Sequence, residues 1–299
     1  MPFRFKASDE TVEAGFRRIA CHEMDEALAL VRAGALPPER IVHQMRRACK
    51  AVRGLLRLVR PVFPAFETEN AAFRDIAGSL SGLRDSKVLV DTLDGLASGP
   101  DMASAAPTIA ALRRHFGAVG SGQAVMARAL DHCAEQLLAA RVRAASWSLS
   151  ALGWEAIGPG LTRSYRAARR GMSALAQSGE PHLSHEWRKQ VKYHWQHMRL
   201  LRAVAPRPAG ARVRQAARLG DLLGEQHDLD LLVERLSAGP PVPDAAVVDR
   251  LRAAAQKRSA RLHAKALKLG ERLFEEKPRV FADQWHAHWR DWSREKAPA

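Results

Sequence analysis

One helical row of basic side chains occurs twice in this chain, and that repetition limits the possible folds more than any other feature. The first row is His43, Arg46, Lys50, Arg53, Arg57 and Arg60; the second is His185, Arg188, Lys192, Arg199 and Arg202. Steps of three and four place each row on one face of an α-helix. Like charges stacked this way destabilise an isolated helix, so the arrangement points to an anionic partner. At about 100° per residue, the first row occupies an arc of roughly 100°. Val42, Met45, Cys49, Val52, Leu56 and Val59 fill the adjoining arc. An ordinary surface helix sets its charges opposite the core. Here the charges border the core face, which predicts that they line a cleft or a seam, with Arg47 pointing away into solvent. The second row is flanked in the same way by Trp187, Val191, Met198 and Leu201. Trp195 stands where Arg53 stood and leaves a gap in its charge. Each row is about 25 Å long at 1.5 Å per residue. That length suits a linear polyanion better than a single phosphate.

Apolar spacing of the helical kind runs through most of the remaining sequence. It predicts helices over about 8–33, 38–60, 67–96 with a bend at Gly78–Gly82, 107–119, 124–151, 161–177, 181–205, 209–238 and 245–276. Gly99-Pro100 should break one of them, and Gly158-Pro159-Gly160 reads as a linker. No alternating strand pattern is evident, so the chain should be all-α. His185 follows His43 by 142 positions, and Leu223 to Asp228 follows Leu80 to Asp85 by 143. Landmarks in one order at one shift indicate a duplication. The expected division is residues 8–157, residues 158–276 and a Trp-rich extension over 277–299, each repeat a bundle of about four helices. Trp147, Trp154, Trp285, Trp289 and Trp292 read as packing residues rather than base-stacking platforms.

The 299 residues carry 47 Lys and Arg against 32 Asp and Glu, a formal net charge of +15. In a sequence with a foldable apolar pattern, this excess favours partners such as nucleic acid, anionic lipid or free polyanions. Three cysteines without metal-type spacing suggest a reducing compartment. No secretory leader or membrane span is apparent. A soluble, cytoplasmic chain without membrane association is therefore expected, of unspecified oligomeric state. His182/His185, His194/His197 and His286/His288 lack accompanying carboxylate ligands and read as incidental, so no metal or cofactor is expected. No phosphate-binding glycine loop, nucleophile elbow or Cys/His dyad occurs, so no catalytic residue is expected and the chain reads as a non-enzyme. Asp85 and Asp228, beside Arg84 and His227, fit either local ion pairs or carboxylates that orient a basic neighbour.

A helix of the form His-x-x-Arg-x-x-x-Lys-x-x-Arg, a later Leu-x-x-x-x-Asp and a second copy of both resemble the conserved-histidine α-helical domain, the CHAD family. The resemblance spans about Ser8 to Glu276. It implies two pseudo-symmetric four-helix bundles flanking a basic channel. It also implies binding of inorganic polyphosphate, often at polyphosphate granules. By matching position, the implied contacts are His43, Arg46, Lys50, Arg53, His185, Arg188 and Lys192. Charge and placement extend the set to Arg57, Arg199, Lys189, Arg17, Arg18, Arg166 and Arg169. Many relatives carry a triphosphate-hydrolysing β-barrel, the CYTH domain, at the amino terminus. The helical repeat starts almost at once here, so no such module is expected. The competing expectations are a nucleic-acid-binding module and a helical scaffold for a protein partner.

Overall fold

The computed structural model describes residues 3–80, 82–98, 105–117, 123–239 and 242–296, without the side chains of 82–85, 123, 124, 181 and 296. The helices are α1 (Val12–Ala33), α2 (Pro38–Val59), α3 (Phe66–Ser79), α4 (Gly82–Ala97), α5 (Ala106–Gly117) and α6 (Gln123–Ala144). They continue with α7 (Gly153–Ser178), α8 (Pro181–Leu200), α9 (Pro206–Ser237), α10 (Ala245–Leu273) and α11 (Pro278–Lys296). Among the described residues there is no strand, and none of the helices is long and apolar enough to cross a membrane. Local chemistry sets the ends. Thr11 Oγ1 accepts the Ala14 amide at 3.0 Å and Asp244 Oδ1 accepts the Ala246 amide at 2.8 Å, capping α1 and α10. Prolines open α2, α8, α9 and α11, where a missing amide proton costs nothing. Gly34 and Gly179 stop α1 and α7 in the left-handed region, φ 57° and 67°. The break expected at Gly99-Pro100 lies outside the described residues.

Helices α1, α2, α3 and α6 pack together around Phe16, Phe63, Phe73 and Trp147, whose rings lie in edge or stacked contact. Helices α7 to α10 pack in sequence, and α11 lies on α7. There Tyr165 stacks on Phe281 at 4.0 Å and Trp285 is buried. The Trp-rich extension thus belongs to the packed structure, and Trp289 and Trp292 are buried in it as well. Trp154 is half-buried and stacks on His286. Helices α4 and α5 do not join the α1–α3–α6 core. Their Leu89, Leu93, Ile109, Leu112 and Phe116 form a separate cluster with Leu232, Leu236, Val247 and Leu251 of α9 and α10. The bend at Gly78–Gly82 is a full break between α3 and α4, whereas α9 runs unbroken. The three cysteines are free, and burial pushes the Cys49 thiol up to about 12.

Gly158-Pro159-Gly160 is not a linker. It lies in the first turns of α7, with Gly158 and Gly160 buried. Gly160 is where α7 meets the end of α2. A Cβ there would stand 1.9 Å from the Leu58 carbonyl oxygen, so only glycine lets the two backbones touch. The sequence signal of a breaker was real, but its cause is close approach. The repeat boundary expected at 157/158 therefore falls inside a helix.

His194 and His197 are fully buried. His197 Nε2 donates to the Gly54 carbonyl at 3.0 Å, and His194 sits among Tyr165, Phe274 and Phe281. Burial holds the His194 imidazole well below its usual value and lowers His197 from 6.5 to about 4. The native state thus refuses protons that the unfolded chain accepts below pH 6.5. Stability should be level above that pH and fall on acidification until both pKa values are passed. The His197 shift of 6.5 to about 4 corresponds to a loss of about 3 kcal/mol. Urea unfolding at neutral pH and near pH 4 should show this loss, and His197→Gln should flatten the profile. Gly160→Ala should cost about 1–3 kcal/mol through backbone displacement, read as a lower urea midpoint at unchanged slope.

Candidate anion-binding seam

The two basic helices touch each other. Helix α2 packs on α8 where Gly54 leaves room for Gln196: a Cβ on Gly54 would lie 1.6 Å from Gln196 Oε1. Gln196 Nε2 donates to the Lys50 carbonyl at 2.8 Å, and His197 bonds the Gly54 carbonyl four residues on. Gln196 stands 142 positions after Gly54, the same shift that relates His185 to His43. Lys50 and Gly54 of α2 thus meet Gln196 and His197 of α8, and Arg57 meets Tyr193.

The first row lies between α2 and α3. Arg46 Nη1 donates to the Ala77 carbonyl at 2.6 Å, Arg53 Nε to Asn70 Oδ1 at 3.2 Å, and Arg60 Nη2 to Glu67 Oε1 at 2.8 Å. Arg57 stacks on Tyr193 of α8, 4.3 Å from the ring centre, with the Phe66 ring of α3 at 6.0 Å. His43 and Lys50 are exposed. Arg47 is exposed as expected, within bonding reach of Gln44.

The second row lies between α8 and α9. Lys192 rests on Gly220 and Arg188 on Gly224, where Cβ atoms would sit 2.9 and 3.3 Å from the respective cationic groups. This pair of glycines recurs 142 positions after Gly78 and Gly82, a spacing that could have marked the groove from sequence. Arg188 and Lys192 line a cleft of about 470 Å³ with Arg258 of α10 and Asp91 of α4. Asp221, Glu225 and Asp228 of α9 line it too, and Lys192 Nζ lies 3.7 Å from Asp221. Carboxylates thus share this side with the cations, which the row alone did not suggest. His185 is half-buried against His227, with ring centres 4.6 Å apart, and its Nδ1 is buried without a hydrogen-bond partner among the described residues. Lys189 is exposed over much of its length and pairs with Glu186.

Trp195 does not leave an empty place. Arg199 stacks on its ring at 4.6 Å, and Lys192 lies 5.7 Å from the same ring. Arg199 is also covered by Phe3 at 4.8 Å. The indole therefore spaces two cations and partly offsets their repulsion through its π face. Tyr193, Phe66 and Phe3, all stacked on row arginines, escaped the sequence reading because nothing in their spacing marks them.

The candidate cations outside the rows lie elsewhere. Arg17 is tied to Glu13 and the Trp147 carbonyl, and Arg18 makes a two-pronged bond to Asp9 at 2.6 and 2.8 Å. Arg166 is exposed on α7, and Arg169 lies near Tyr165. Asp228 faces the cleft, while the side chains of Arg84 and Asp85 lie outside the described residues.

Electrostatics marks four groups of the rows. Burial lowers the pKa of Arg53, with Arg57 and Arg74 adding repulsion. Burial likewise lowers Lys192 against the pull of Asp221, and Arg199 against that of Glu23. His185 is lowered by burial and then by His227, Lys189 and Arg188. Each of these groups sits where its cationic form is disfavoured, so an incoming anion would relieve it. Among the described residues, no group of three His, Cys, Asp or Glu side chains could hold a metal ion.

A comparison with curated proteins found no match. The family model of the CHAD domain matches residues 18–237, covering α1 to α9 and therefore both basic rows and the contact between them. Since that match takes in well over half the chain, the protein belongs to the CHAD domain family.

Proposed function

We propose that this protein binds inorganic polyphosphate along the α2–α8 seam, electrostatically and without catalysis. The family is one linked to polyphosphate binding. The observation that carries the reading is the burial of like charge. Arg53 on α2 and His185, Lys192 and Arg199 on α8, the two helices that meet at Gly54, are half-buried and shifted toward their neutral forms. A fold that keeps cations at this disadvantage gains most from a dense, flexible line of phosphates. Arginine forks, a lysine point charge and a chargeable imidazole are a suitable mixed donor set for it.

The reading includes two pseudo-symmetric bundles with the seam as a basic channel between them. Gly54 and Gln196 support that symmetry, because residues related by the repeat shift touch, as they must beside a two-fold axis. It also places the protein in the cytoplasm, at polyphosphate granules. Nucleic acid is the weaker reading, since Tyr193 and Trp195 each lie against an arginine that competes with a base for the ring. A phosphoanhydride hydrolase is weaker still. The carboxylates near Lys192 and Arg258 are engaged with those cations, with Glu225 on Arg258 at 2.7 Å.

Counterion release should make binding steeply salt-dependent. With about six phosphates contacted, a fourfold rise in salt should weaken binding by about three orders of magnitude. A titration over chain length at two salt concentrations checks this. Long chains should bind far more tightly than tripolyphosphate, and equal affinity would refute the seam. Lys50→Glu together with Lys192→Gln should weaken binding at least about tenfold, while Arg279→Glu, at an exposed position of α11, should not. No phosphate release with magnesium or manganese is expected.

The pH dependence has a defined sign. His185 is neutral above 6.5 because burial depresses it, and bound phosphate opposes that depression. Affinity should therefore rise as pH falls below 6.5, by up to about tenfold per pKa unit regained. His185→Ala should remove the increment; an unchanged profile in that variant would strike His185 from the contacts.

A further inference from the structure

Helix α10 carries a third row of cations. Arg250, Lys257, Arg261, Lys265, Lys268 and Arg272 fall within an arc of roughly 80° at 100° per residue. All six are exposed, and none has an ion pair or hydrogen bond with any described residue. Other cations of the same helix are paired: Arg252 bonds Asp249 at 2.7 Å and Arg258 bonds Glu225 at 2.7 Å. The helix's acidic residues, Asp249 and Glu271, fall outside the arc. Its apolar residues Leu251, Ala255, Leu262, Ala266 and Leu273 are buried in the core. The arc thus offers nothing to insert into a bilayer and no ring to stack a base. What it offers is a straight line of charge about 33 Å long. It also lies beyond residue 237, where the family match ends.

The row is not isolated from the seam. Arg258, at the edge of the arc, lines the same cleft as Arg188 and Lys192. We propose that the exposed face of α10 is a second track for inorganic polyphosphate, entered from the cleft past Arg258, so that one long chain is held by the seam and then by α10. The inference rests on the polyphosphate reading above. It adds that chain length is sensed beyond what the seam can hold.

The test is binding of length-fractionated polyphosphate to the full chain and to the triple variant Lys257→Glu, Arg261→Glu, Lys265→Glu. These residues are exposed, so folding should be retained, and circular dichroism checks it. The wild type should tighten further once chains exceed the length that saturates the seam. The triple variant should bind short chains as the wild type does and lose at least about tenfold on long ones. Its salt slope on long chains should be shallower by about two. The corresponding Gln variant should show a smaller loss in the same direction. Identical curves for variant and wild type at every length would overturn the proposal. So would an equal loss at all lengths, or the same long-chain loss on reversing Arg32, Arg207 and Arg279, since either would reduce the effect to net charge. RNA gaining more from the α10 row than polyphosphate of equal phosphate number would overturn the choice of ligand. Failure of the seam itself reads separately: the wild type would then bind short chains no better than the Lys50/Lys192 variant, while the long-chain comparison at α10 stands.

Discussion

The close contact of α2 with α8 at Gly54 is the constraint on which the remaining structure depends. Without a Cβ at that position, Gln196 reaches the Lys50 carbonyl and His197 the Gly54 carbonyl. Those two bonds tie the two basic helices together at backbone level. The contact joins the two helices that carry the rows, and Arg57 of one stacks on Tyr193 of the other across it. Gly160 acts in the same way in the next layer, letting α7 press on the end of α2. The buried His197 holds the contact in its neutral form, and His194 packs behind it against Tyr165 and Phe281, so acid should loosen the scaffold even as it charges His185.

Keeping so many cations near a core is costly, and the structure offsets the cost in different ways on the two sides. On the α2 side, Arg46 and Arg53 bond neutral acceptors, the Ala77 carbonyl and the Asn70 amide, Arg57 lies on the rings of Tyr193 and Phe66, and Arg60 pairs with Glu67. The neutral partners position a guanidinium without neutralising it. On the α8 side, Asp221, Glu225 and Asp228 stand beside Lys192 and Arg258. An anion arriving there must displace or outcompete carboxylates, whereas one arriving beside α2 meets Arg46 and Arg53 bonded to neutral acceptors. The repeated rows are thus alike in spacing and unlike in field, and Trp195 adds to the difference by spacing Lys192 from Arg199.

Much of this was legible in the sequence, for identifiable reasons. Helix positions followed from apolar spacing and from the prolines and glycines at their ends, and the rows followed from charge at the same spacing. The misread Gly158-Pro159-Gly160 shows the limit: a glycine required for contact between distant segments looks like one required for a turn. The partners of Arg17 and Arg18 could not be read from charge alone, although Glu13 one turn before Arg17 was a readable hint. The stacking of Arg57 on Tyr193 and of Arg199 on Trp195 depends on how helices pack and rotamers settle, which no spacing encodes. The α4–α5 pair crossing to the α9–α10 core was equally hidden, since its apolar faces do not name their partners.

The central claim is that the two rows act as one site because the Gly54 contact joins them. A crystal structure with a bound polyphosphate chain tests this most directly. The account predicts phosphates running along the seam, within bonding distance of α2 side chains such as Lys50 and Arg57 and of α8 side chains such as Arg188 and Lys192. A chain touching only one of the two helices, or bound wholly away from their contact, would contradict it.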